Sequence, residues 1–305
     1  MNLTEEPTTH CGSVVIAGRP NVGKSTLLNQ ILGTHLAATA PKPQTTRNQI
    51  LGIHTEDNYQ MLFLDTPGIH DDRERPLNRR LNKAALASLP EADVVLFVIE
   101  AGQWTHEDER VLEHLASIEA PVILVINKID RMRDRSELLP FIDAVQQRRV
   151  FTEVVPLSAF ETRNVNYLVR LLRRYLPAGP FQYGEDEITD RNLRFLSAEM
   201  IREQLTRYLE QEVPYTLGVE IEHFKEGPER TEIGAVIYVE RDGQKGIVIG
   251  KGGAMLKKVG SEARRRIEGL LGGPVFLQLW VKVKPGWTEA PGWLDKLGMD
   301  AEGRH

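Results

Sequence analysis

Two hydrophobic periods alternate along the first half of the chain. Uninterrupted apolar runs at 13–17, 94–99 and 122–126 read as strands buried on both faces, and shorter ones stand at 50–53, 59–64 and 154–157. Between them, helical spacing predicts helices over 25–32, stopped by Gly33, and over 107–117, 137–147 and 164–176. Strands alternating with helices predict a doubly wound α/β domain whose functional loops lie at the carboxyl ends of the strands. Pro177-Ala178-Gly179-Pro180 breaks this pattern, and a different one follows. Leu193, Leu196, Met200, Ile201, Leu205, Tyr208 and Leu209 recur at helical spacing, and two strands are predicted at 217–224 and 231–240. Leu256, Val259, Gly260, Ala263, Ile267 and Leu270 mark one face of another helix, and 277–283 is a closing strand. The expected division is a tail at 1–12, the α/β domain at 13–176, a linker at 177–190, a smaller α+β domain at 191–287 and a tail at 288–305.

Length agrees with two domains, since 305 residues exceed what one core usually supports. Cys11 is the sole cysteine and the eight histidines are scattered, which excludes a disulfide framework and a cysteine-rich zinc site. The stretch 1–7 is acidic without an apolar core, and the longest apolar run, 94–99, is too short to cross a bilayer. A cytoplasmic protein is expected. The formal net charge of −5 hides an uneven distribution. Between Gln244 and Lys284 nine basic side chains face only Glu262 and Glu268, a local balance of +7.

The first predicted strand runs into Gly18-Arg19-Pro20-Asn21-Val22-Gly23-Lys24-Ser25, a complete match to G-x-x-x-x-G-K-[ST]. Ser25-Thr26 opens the next helix, so backbone N–H groups of the turn and of the helix N-terminus converge on a phosphate chain. Gly18 and Gly23 permit close approach, Lys24 would lie along the β- and γ-phosphates, and the Ser25 hydroxyl would ligate Mg²⁺. The strand at 59–64 ends in Asp65-Thr66-Pro67-Gly68. An acidic residue there, downstream of a P-loop, is placed to hold Mg²⁺, and the Gly68 N–H can meet a γ-phosphate. Alone, Asp65-Thr66-Pro67-Gly68 would equally suit a plain turn; after a P-loop it does not.

Asn127-Lys128-Ile129-Asp130 follows the strand at 122–126 and selects the base. The Asp130 carboxylate can accept from guanine N1–H and the exocyclic N2 amino group, donors that adenine lacks. Asn127 suits either the O6/N7 side or a bridge to the P-loop, and the Lys128 stem can lie over the base. The Ala159 N–H, held by Ser158, would meet O6.

The first domain therefore resembles a translation-factor-class GTPase of the Era-like group over 13–176. The resemblance implies GTP and GDP as ligands, Thr46 as second Mg²⁺ ligand and γ-phosphate sensor, and Asn21 as a residue holding potassium against the phosphates. Thr45 adjoins Thr46 and leaves a second register open. With Lys24, Thr46 and Gly68 as catalytic residues, water attacks the γ-phosphate. Ile69 stands where Ras-like enzymes place a water-orienting glutamine, so unaided hydrolysis is expected to be slow.

In the second domain the order helix–strand–strand–helix–G-x-x-G–helix–strand resembles a type II KH domain, whose loop clamps single-stranded RNA. The loop is Gly250-Lys251-Gly252-Gly253, and Lys257, Lys258, Arg264 and Arg265 supply charge beside it. The pairing of both domains resembles the Era family of bacterial GTPases nearly end to end, although 284–287 and 297–299 match loosely. That resemblance implies a monomeric assembly factor of the small (30S) ribosomal subunit. It would bind 16S ribosomal RNA near its 3′ end, with nucleotide state gating the RNA, and associate peripherally with the inner face of the cell membrane. Two other readings are an RNA-binding chaperone with a structural, unhydrolysed nucleotide, and a metabolic nucleotide kinase. The guanine-selecting motif and the absence of an evident acceptor site weigh against the kinase.

Overall fold

Alternate residues of the apolar runs face opposite ways and build two cores on one sheet. The computed structural model describes residues 8–40, 42, 45–68, 76–210, 213–290 and 292–293. Strands β1 (His10–Ala17), β2 (Ile50–Glu56), β3 (Tyr59–Asp65), β4 (Val94–Glu100), β5 (Val122–Asn127) and β6 (Glu153–Pro156) form a sheet in the order β2-β3-β1-β4-β5-β6. Only the β2–β3 hairpin pairs antiparallel. Val14, Ile16, Leu96 and Val98 pack beneath α1 (Lys24–Leu32) and α5 (Thr162–Leu172). Their neighbours Val15, Ala17, Phe97 and Ile99 pack on the other face against α2 (Pro76–Ala87), α3 (His106–Leu115) and α4 (Leu138–Gln146). Every turn that carries a nucleotide motif thus leaves the carboxyl edge of this sheet.

Among the boundaries that differ from the sequence expectation, two have a plain cause. β1 begins at His10, because His10, Cys11 and Gly12 pair with Tyr59, Gln60 and Met61 ahead of the apolar run. The helix expected to reach 176 tightens into a 3₁₀ turn at Arg173–Tyr175, and Leu176 is extended. Pro177 disfavours helical geometry in the residue before it.

The following segment lies along the first sheet. Phe181 and Tyr183 pack on Cys11, Leu51, Ile53 and Leu62, and the Ile53 N–H of β2 donates to the Ile188 carbonyl at 2.9 Å. The Gln60 amide gives its N–H to the Tyr183 carbonyl at 2.9 Å.

The second unit builds a separate core. β7 (Gly218–Lys225), β8 (Thr231–Val239) and β9 (Val275–Val283) form a three-stranded sheet, antiparallel then parallel. Helices α6 (Leu193–Tyr208), α7 (Asp242–Ile249) and α8 (Ala254–Leu271) cover one face. Ile201, Leu205, Ile233, Ile237, Val259, Ala263 and Ile267 fill the space between. The two units meet along α6, whose polar residues Glu199, Arg202 and Glu203 are buried there.

Candidate functional site

The P-loop wraps the amino end of α1. Gly23 has φ 101°, and a Cβ added there would lie 2.4 Å from the Asn127 amide nitrogen, so glycine is required by both backbone and neighbour. The Lys24 ammonium is buried and donates to the carbonyls of Gly18 and Arg19, both at 2.9 Å. Burial lowers its pKa to about 8, partly offset by Asp65. The cleft in front holds about 560 Å³, and Pro20, Asn21, Gly23, Lys24, Ser25, Thr26, Thr46, Gly68, Asn127, Lys128, Asp130 and Ala159 line it.

Three oxygens converge at one end of the cleft. Ser25 Oγ donates to Asp65 Oδ2 at 2.6 Å, and Thr46 Oγ1 lies 2.7 Å from Ser25 Oγ. Thr45 instead gives its hydroxyl proton to the Lys42 carbonyl at 2.6 Å, so Thr46 is the threonine brought to Ser25. Asp65 is fully buried, which raises its pKa to about 6 against the opposing pull of Ser25 and Lys24. Its Oδ1 has no hydrogen-bond partner among the described residues. Hard oxygen donors beside an orphaned buried carboxylate oxygen fit Mg²⁺, a hard cation that takes oxygen ligands. Ile69 lies outside the described residues.

At the other end, Asn127 acts as a bridge. Its amide donates to the Val22 carbonyl at 2.8 Å, and its Oδ1 accepts from the N–H groups of Lys128 at 2.7 Å and Ala159 at 3.0 Å. The Ala159 N–H is thus engaged by Asn127 in this structure. Ser158 Oγ accepts from the Phe160 N–H at 3.4 Å, bracing the same turn. Lys128 spans the cleft, with Nζ at 2.6 Å from both the Asn21 carbonyl and Glu100. Asp130 is exposed on the cleft wall, open to a base.

Several motif residues act from behind the wall. Thr66 donates to the Ile16 carbonyl at 2.8 Å, and the Val22 side chain is buried in the core. Arg19 turns to Asp108 at 3.1 Å and to Glu100 of the cleft wall at 3.7 Å. Sequence reading missed Glu100, Arg131, Phe160 and Arg207 in the lining. Arg207 carries no signal in any motif, since it reaches the cleft from α6.

The second unit carries a groove of about 440 Å³ lined by Gly253, Leu256, Lys257, Gly260, Ser261, Arg264, Leu277 and Leu279. Gly250, Gly252 and Gly253 have φ of 73°, 59° and 79°, so the loop is tightly curled before α8 begins. The groove combines an apolar floor with a basic rim, suited to bases below and phosphates above. Of the expected RNA residues, Gly253, Lys257 and Arg264 line it, and Lys251 is exposed at its mouth. Lys258 instead sits over the Tyr208 ring at 4.1 Å, and Arg265 pairs with Glu262 at 2.5 Å. The floor residues Leu277 and Leu279 were visible only as strand periodicity.

Comparison with known proteins finds a GTPase family and a KH family on this chain. Residues 13–128 match a family described as 50S ribosome-binding GTPase, and residues 212–288 match the KH domain family. GTPase Era of Marinobacter nauticus is 50% identical over 295 residues, 97% of each chain. GTPase Era of Pseudomonas fluorescens is 49% identical over 97% of this chain and 99% of its own. Among solved structures, Era in complex with MgGDPNP and nucleotides 1506–1542 of 16S ribosomal RNA has a TM-score of 0.92 at 41% identity, covering 95% of this chain and 99% of that one. A point variant of Aquifex aeolicus Era bound to GDP·AlF4⁻ has a TM-score of 0.91, with the same identity and coverage.

Proposed function

Because the chain belongs to the Era family of GTPases, we propose that it binds the 3′ end of 16S ribosomal RNA during assembly of the small ribosomal subunit, with its nucleotide state gating that contact. The chain is a GTPase with a KH domain. The observation that carries the proposal is the coexistence of a complete P-loop cleft and a basic, apolar-floored groove on one chain, in the arrangement of a relative solved with GTP analogue and that RNA.

Guanine is selected by Asp130, whose two oxygens accept from N1–H and N2 while the Lys128 stem covers the ring. Backbone N–H groups of 19–25 cradle the phosphates, and Lys24 exchanges its carbonyl partners for phosphate oxygens. Ser25, Thr46 and Asp65 would hold Mg²⁺, which neutralises charge on the β- and γ-phosphates when bound. Thr46 and the Gly68 N–H aim at the γ-phosphate. This machinery weighs against a purely structural nucleotide.

The working domain limits are 13–176 for the GTPase and 191–287 for the KH unit. The proposal also includes a cytoplasmic monomer, peripheral membrane association, and potassium near Asn21, which is exposed on the cleft wall with φ 63°. Among the described residues no helix is long and apolar enough to cross a membrane.

The test is a Lys251→Asp, Gly252→Asp double variant. Two carboxylates at the groove mouth repel phosphate, and aspartate tolerates the positive φ of residue 252. Affinity for a single-stranded 16S 3′-end oligonucleotide should fall at least about a hundredfold at moderate salt, while RNA-free GTP hydrolysis stays within about twofold. Unchanged RNA affinity in the folded variant would refute the groove as the RNA site.

A further inference from the structure

Thr46 reaches Ser25 from the segment between α1 and β2, and both of its chain neighbours are held by the other unit. The Thr45 carbonyl accepts from Arg202 Nη2 of α6 at 2.5 Å. Arg47 crosses in the opposite direction: Nη1 donates to the Leu217 carbonyl at 2.7 Å and Nη2 to the Pro214 carbonyl at 2.6 Å. Each of these arginines is only 2% exposed. Glu199 steadies Arg202 through an Nε contact of 2.8 Å and also accepts from the Asn48 amide at 3.2 Å. Two guanidiniums therefore exchange across the seam on either side of one threonine.

The chemistry of this exchange argues for positioning over adhesion. Replacing buried ion pairs by apolar side chains is often neutral or stabilising, so burying charge here serves direction more than strength. All three acceptors of these arginine bonds across the seam are main-chain carbonyls, so the contact registers where the backbone stands. The seam is also imperfectly satisfied. Asn48 Oδ1 and Arg202 Nη1 are buried without a hydrogen-bond partner among the described residues. Such groups penalise the closed contact, leaving it easy to open.

We propose that the RNA-binding unit positions Thr46, so that the part of the site specific to GTP over GDP is completed by Arg202 and Arg47. Neither arginine touches nucleotide or metal; both are positioning residues. The proposal rests on Thr46 as Mg²⁺ ligand and γ-phosphate sensor. By linkage, a triphosphate that draws Thr46 inward tightens the seam, and opening the seam weakens GTP more than GDP.

The test uses the full chain without RNA, measuring by calorimetry the affinities for GDP and for a non-hydrolysable GTP analogue, both with Mg²⁺. Arg47→Ala should weaken the analogue about tenfold and GDP by less than about twofold, the loss expected for charge-assisted bonds. Arg47→Lys, which keeps the charge and one donor, should recover part of the loss. The paired change Glu199→Met with Arg202→Met removes both charges together and should reproduce the selective loss. It also serves if Arg47→Ala fails to fold. Equal loss of both nucleotides, or no loss of either, overturns the proposal. Thr46→Ala separates the layers. If it leaves the GTP-to-GDP ratio intact, the reading of Thr46 itself fails; if it loses the ratio while Arg47→Ala keeps it, only the bracket fails.

Discussion

Asp65 and Lys24 are a buried acid and base kept in forms that burial disfavours. The Asp65 pKa is raised from 3.8 to about 6, so the ionised folded form is penalised above about pH 6, and the penalty vanishes below the unfolded value. With Asp65 as the proposed Mg²⁺ ligand, metal binding below about pH 6 must expel a proton. Affinity for magnesium nucleotide should therefore fall as pH drops from 7 to 5, approaching tenfold per pH unit, and Asp65→Asn should bind weakly with a flat profile. The same variant should stabilise the empty protein at pH 8 by up to about 3 kcal/mol, the gain shrinking towards pH 5. Thermal melts across that range check the second outcome, and a destabilised Asp65→Asn at pH 8 would contradict the assignment. The opposing shift of Lys24 to about 8 means that alkaline pH removes the phosphate-facing charge from the empty cleft.

Elements were legible where one physical cause set them. Double-sided burial identified β1, β4 and β5; the P-loop follows β1, Asn127 ends β5 and Asp65 ends β3 beside β1, so their gathering on one edge followed from topology alone. Pairwise side-chain commitments were not legible. Nothing local says that Lys258 rests on Tyr208, or that Arg207 from α6 lines the nucleotide cleft. Those depend on contacts distant in sequence. The basic strip was visible as charge, yet the strand floor of Leu277 and Leu279 emerged only when β9 met α8. Gly260 sits on that seam, and a Cβ there would lie 3.3 Å from Leu279 Cδ1. Gly260→Leu should fill the groove and weaken RNA at least about tenfold. The helix loses no stability from it, since glycine costs about 1 kcal/mol in a helix interior. A melting temperature that collapses along with RNA binding would show that the glycine serves packing instead.

Across the whole molecule, charge and contact are divided between the units. The chain is acidic overall, and its basic strip runs from α7 through the 250–253 loop and α8 to the residue after β9, so ionic strength should act on the proposed RNA groove far more than on the nucleotide cleft. Between the units, the segment 181–188 lies against the first sheet, and its Ile188 carbonyl takes the Ile53 N–H of the outermost strand, β2. An uncovered outer strand offers unpaired backbone groups to any other chain, and Leu51, Ile53 and Leu62 would be bared beside it. Cutting the chain after residue 176 would therefore do more than detach the KH unit. The released GTPase fragment should self-associate at micromolar concentration, seen as a concentration-dependent shift in light scattering, whereas a fragment ending at 190 should stay dispersed. The connector is thus a built-in guard against aggregation.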